Sequence, residues 1–66
     1  MKNEKMHKYI SEVAIPDIEW MKSRGYVRSA LYLGTEFDAV LVAKAIENGY
    51  GYKCKAMAGT VYVFLR

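Results

Sequence analysis

The sequence predicts an α+β fold: a small, mainly antiparallel sheet with two helices packed on one face and a C-terminal β-hairpin. Three observations carry that prediction. Residues 50–66 alternate between apolar and polar side chains about a central Ala58-Gly59 pair and contain no acid. Residues 35–48, TEFDAVLVAKAIEN, combine a helix-capping pattern with an apolar stripe. Residues 26–33, YVRSALYL, alternate with period two and stop at Gly34. The expected element order is β-α-β-α-β-β.

The first element has two readings. Tyr9, Ser11, Val13 and Ile15 alternate like a strand leading into Pro16. Met6, Tyr9, Ile10 and Val13 instead have helical spacing, with Asn3 as a cap. The strand, over residues 8–14, is the one adopted. Residues 16–24, PDIEWMKSR, then read as a short helix. Pro16 suits its first position, Asp17 and Glu19 its first turn, and Gly25 its end. Ile18 and Met21 turn inward, and Trp20 lies near the core boundary. In the following strand, parity puts Val27, Ser29, Leu31 and Leu33 on one face and Tyr26, Arg28, Ala30 and Tyr32 on the other.

The second helix begins with Thr35 and Asp38 as a T-x-x-D capping box, and Gly49 is its expected stop. Phe37, Val40, Leu41, Lys44 and Ala45 form its stripe, which Val42 and Ile46 widen into a largely buried helix. Folding the hairpin at Ala58-Gly59 pairs Lys55 with Tyr62 and Lys53 with Phe64. Tyr52, Cys54, Ala56, Val61, Val63 and Leu65 then face the core. Lys53, Lys55, Tyr62, Phe64 and Arg66 face away from it.

A chain of 66 residues is one domain, and a domain of that size buries only about 60% of the surface its unfolded form exposes. One cysteine and one histidine supply neither a disulfide nor a structural zinc set, so packing and self-association must hold the fold. No metal or cofactor is expected. The lone thiol and the lack of a leader-like apolar run after MKNEKMHK point to a cytoplasmic protein. The longest uncharged apolar stretch, residues 39–43, is far short of the roughly 20 residues a membrane span needs.

The net charge of +3 is modest but segregated. Every acid lies in the first nineteen residues or in residues 34–49, so the segments 26–33 and 50–66 are purely basic. With only two short helices, one sheet face stays uncovered. It carries Tyr26, Arg28, Tyr32, Lys53, Lys55, Tyr62, Phe64 and Arg66, which are the candidate binding residues. Aromatic rings interleaved with cations suit single-stranded RNA or DNA, because bases stack on the rings while Lys and Arg track the phosphates. Four-stranded RNA-binding sheets use the same logic, but their glycine-and-aromatic motif is absent here and the element order differs. The same composition also suits a protein interface, in a regulator of a larger protein or in a homodimer.

No catalytic constellation competes with these readings, and a non-enzymatic binding module is expected. Asp17/Glu19 and Glu36/Asp38 belong to helix first turns. Gly34-Thr35 precedes two acids that would repel a phosphate. Cys54 falls on the core face and lacks a base.

Overall fold

A computed structural model describes residues 2–66, with side chains from residue 4 onward. The cap expected of Asn3 therefore lies outside the described side chains. The chain opens with one continuous helical run. An α-helix, α1 (Lys2–Tyr9), passes into a π-helical segment, Ile10–Ala14, and then into α2 (Ile15–Ser23). Strand β1 (Arg28–Tyr32), helix α3 (Ala39–Tyr50), strand β2 (Lys53–Met57) and strand β3 (Thr60–Phe64) follow. The three strands form an antiparallel sheet in the order β1-β3-β2, with the helices on one face.

The strand expected over residues 8–14 is not formed, and the short helix expected from Pro16 is the second half of a longer one. Its buried side chains explain the change. Met6, Ile10, Ala14 and Ile18 recur every four residues and are all buried. On a straight α-helix a step of four overshoots one turn by about 40°, so three such steps would carry the stripe off the core. The wider i→i+5 turn of the π segment takes up that drift, and the N–H of Ile15 donates to the carbonyl of Ile10. Pro16 fits immediately after it. Proline has no N–H, and its ring clashes with the carbonyl four residues back, so an extra residue in the preceding turn relieves a defect that would otherwise break the helix. Val13 and Trp20 lie outside the core, and Trp20 instead stacks under the Arg24 guanidinium at 4.8 Å.

Helix α3 also begins later than expected. Asp38 is the N-cap itself: its Oδ1 accepts hydrogen bonds from the N–H groups of Val40 (2.9 Å) and Leu41 (3.5 Å). Thr35 stays in the preceding turn. Holding Phe37 outside the helix lets its ring stack on Tyr9, with centroids 5.0 Å apart, which ties the first helix to this turn. The buried face is then Val42, Ala43 and Ile46, while Val40 and Leu41 are exposed. Gly49 lies inside α3. Gly51, in the left-handed region with φ of 79°, terminates the helix and returns its N–H to the carbonyl of Glu47 at 3.0 Å.

That shift makes a prediction of opposite sign from the sequence reading. A Cβ at Gly49 meets nothing within 4 Å, and the backbone there is helical. Gly49→Ala is therefore expected to stabilise the protein by about 0.5–1 kcal/mol. A urea unfolding curve reads this directly, and a loss of stability would restore Gly49 as the helix stop.

The sheet follows the expected register. Strand β2 pairs with β3 as Lys53↔Phe64, Cys54↔Val63, Lys55↔Tyr62, Ala56↔Val61 and Met57↔Thr60. Strand β1 pairs with the other side of β3 as Arg28↔Phe64, Ser29↔Val63, Ala30↔Tyr62, Leu31↔Val61 and Tyr32↔Thr60. Val61 and Val63, on the central strand, are fully buried against Ile10, Ile18, Val42 and Ile46.

Candidate binding face

The register alone sets out the uncovered face as three rows across the sheet. The first row runs Arg28, Phe64, Lys53; the second Ala30, Tyr62, Lys55; the third Tyr32, Thr60, Met57. Adjacent strands lie about 4.8 Å apart and residues of one face repeat about every 7 Å along a strand. Each ring of β3 therefore has a neighbour on both sides. Tyr62 has Lys55 directly across one edge, and the Arg28 guanidinium comes within 5.4 Å of its ring from the diagonal position on β1. None of the strand residues is acidic.

Phe64 forms a ridge between two shallow depressions. On one side lie Tyr26, Val27, Arg28 and Arg66. On the other lie Lys22, Tyr52, Lys53 and Arg66, among others. Five of the eight expected residues thus meet around one ring: Tyr26, Arg28, Lys53, Arg66 and Phe64 itself. Tyr62 and Lys55 continue the face inward. Tyr32 does not join them. It sits at the far end of β1, 82% exposed, in a row that contains no cation.

Two residues reach this site without a sequence signal. The Lys22 Nζ, at the end of α2, lies 5.5 Å from the ring of Tyr52. Lys22 thereby adds a cation to the depression beside Phe64. Thirty residues separate the pair in the chain, and only the packing of α2 near the end of the hairpin brings them together. Tyr52, read as a core-face residue, is half-buried there.

Cys54 lies on the core face, as its parity requires, and its Sγ donates to the carbonyl of Tyr52 at 3.4 Å. Burial, reinforced by the negative charge of Glu47, pushes the thiol from 9.0 up to about 11. The protonated form is the one the folded state favours. Its contribution is intact below pH 9 and is lost as pH rises toward 11, because the unfolded chain ionises first. Tyr9 acts in the same direction above pH 10, raised by burial and by Asp17 and Glu36. Unfolding midpoints are therefore expected to fall between about pH 9 and about pH 11, with a shallower fall in Cys54→Ala. At about pH 8 the thiol should react with a disulfide reagent far more slowly than it does in urea.

Among the described residues, no group of three or more His, Cys, Asp and Glu side chains is placed to hold a metal ion. No helix among them is long and apolar enough to cross a membrane. Comparison with family models, with curated proteins and with solved structures finds no match to this chain.

Proposed function

We propose that this protein is a non-enzymatic module that binds single-stranded nucleic acid across the uncovered sheet face. One observation carries the reading: two antiparallel pairings set Phe64 on the central strand between Arg28 and Lys53, and Tyr62 beside Lys55 with the Arg28 guanidinium on its diagonal, with no acid on the strands. The rings offer flat π-surfaces, and each stacked base contributes about 1–3 kcal/mol. Arg28, Lys53, Lys55 and Arg66 line the rings where a backbone lying over them would place its phosphates. Stacking of this kind does not distinguish bases or sugars strongly, so RNA and DNA are both substrates of this face.

The test is a titration of a fluorescent single-stranded oligonucleotide at low and at physiological salt. Binding through four cations should weaken with salt along a log–log slope of about −3, since each phosphate neutralised on a single strand contributes about −0.7. Absence of binding at low salt rejects the reading; a protein complex found instead, with little dependence on salt, would assign the same aromatic surface to a protein partner.

A further inference from the structure

The hydrogen-bond parity of β1 leaves one flank of the sheet open in a self-complementary way. The N–H of Leu33 donates to the carbonyl of Gly59 at 2.9 Å, and the N–H of Leu65 donates to the carbonyl of Val27 at 2.9 Å. With the observed register, the odd residues of β1 are therefore the ones that exchange hydrogen bonds with β3. Arg28, Ala30 and Tyr32 must turn their N–H and C=O groups the other way, along the outer edge. Strands at an edge are normally protected by a lysine, a proline, a bulge or an inward charge. β1 carries a single charge, Arg28 at its first position; its centre, Ser-Ala-Leu, has none of these devices, and its pairing with β3 is continuous. The opposite edge, β2, is different, because it carries two lysines, Lys53 and Lys55.

We infer that β1 pairs with β1 of a second copy of this chain, about a two-fold axis at Ala30, to make a continuous six-stranded antiparallel sheet. The residues themselves fix that register. Centring on Ala30 opposes Ala30 to its own copy, the smallest side chain on the uncovered face at the one position where each residue must meet itself. It opposes Arg28 to the partner's Tyr32 and Tyr32 to the partner's Arg28, so two cations never meet and each gains a ring. All three opposed pairs are of the hydrogen-bonded kind, two bonds each. The highly exposed ring of Tyr32, which has no cation in its own row, acquires one from the partner. Because paired residues of antiparallel strands project to the same side, both aromatic and basic faces lie together and both helical layers lie behind. Self-association also meets the need of a small domain with no disulfide.

The association is measured without nucleic acid, so it stands or falls separately from the binding reading. Sedimentation from about 10 μM to about 1 mM is expected to show the mass rise from 7.6 kDa toward twice that value. Over the same range, the amides of Arg28, Ala30 and Tyr32 should become protected from exchange. Ala30→Lys and Ala30→Glu each place like charges at the axis on a solvated face, and each alone should weaken the dimer at least tenfold while melting like the parent at concentrations where the parent is itself monomeric. An equimolar mixture of the two should restore association, as a heterodimer. A parent that stays at 7.6 kDa up to about 1 mM overturns the inference. So does a dimer that neither substitution weakens, or a mixture that associates no better than its components.

Discussion

Tyr62→Leu is expected to weaken oligonucleotide binding by about five- to about a hundredfold while leaving its salt slope unchanged, and Tyr62→Phe is expected to bind like the parent. Leucine keeps apolar bulk on the central strand but removes the π-surface. Phenylalanine keeps the surface and removes only the hydroxyl. Lys53→Ala and Lys55→Ala should behave in the complementary way. Each should flatten the log–log salt slope by about 0.7, and their effect should shrink as salt rises. The two kinds of substitution thus separate on different axes of one experiment. Stacking sets the affinity that persists at high salt, and phosphate contacts set how fast affinity falls.

The same four substitutions also weigh the protein-interface reading. An aromatic anchor in a protein contact would make Tyr62→Leu costly, but the lysines would then sit at a solvated rim where each contributes little. Loss of binding from Tyr62→Leu with no change of slope from either lysine would therefore point away from nucleic acid. Arg28 is a poorer probe, because its guanidinium already lies over Tyr62, and removing it alters the ring's surroundings as well as the charge.

The parts of this arrangement legible in the sequence were those governed by short-range parity. The hairpin register follows from alternation about Ala58-Gly59, because a slip of one residue would bury Lys53 and Lys55. The split of β1 into a buried Ser29-Leu31 face and an exposed Arg28-Tyr32 face follows from the same period, but Val27, expected on the buried face, lies before the strand and is exposed. The N-terminal segment defeated the same test, since Tyr9, Ser11, Val13 and Ile15 alternate by coincidence along a helix. The core follows instead the helical step of four through Met6, Ile10, Ala14 and Ile18, whose drift the π turn takes up. The start of α3 was ambiguous for a different reason. Thr35 and Asp38 are both competent caps, and the choice is made by Phe37 stacking on Tyr9, a contact across the fold. Lys22 over Tyr52 is likewise a product of tertiary packing.

Opposite effects are expected from two adjacent residues at the hairpin tip. Ala58 and Gly59 have φ of 48° and 74°, so both occupy the left-handed region that a tight two-residue turn requires. Alanine there carries a steric cost of about 1 kcal/mol, which asparagine reduces through its local hydrogen bonding. Ala58→Asn should accordingly raise stability by about 0.5–1 kcal/mol. Gly59 has no such latitude. A Cβ on it would lie 2.8 Å from the carbonyl oxygen of Gly34, a backbone atom that no side-chain rotation can move aside. Nor can the turn shift to make room, because the Gly59 carbonyl accepts from the N–H groups of Leu33 (2.9 Å) and Gly34 (3.1 Å), the bonds that close β1 onto the hairpin. Gly59→Ala should therefore cost about 3 kcal/mol or more, against a total stability of roughly 3–10 kcal/mol for a domain of this length. In a thermal melt that is a fall of roughly 12–24 °C, or outright unfolding, beside a rise of a few degrees for Ala58→Asn. Both residues sit in the same two-residue tip and gain a small side chain, so hydrophobicity and exposure account for neither sign. A Gly59→Ala protein melting within about 3 °C of the parent would mean that Gly34 does not press on the turn, and the seam between β1 and β3 would have to be redrawn.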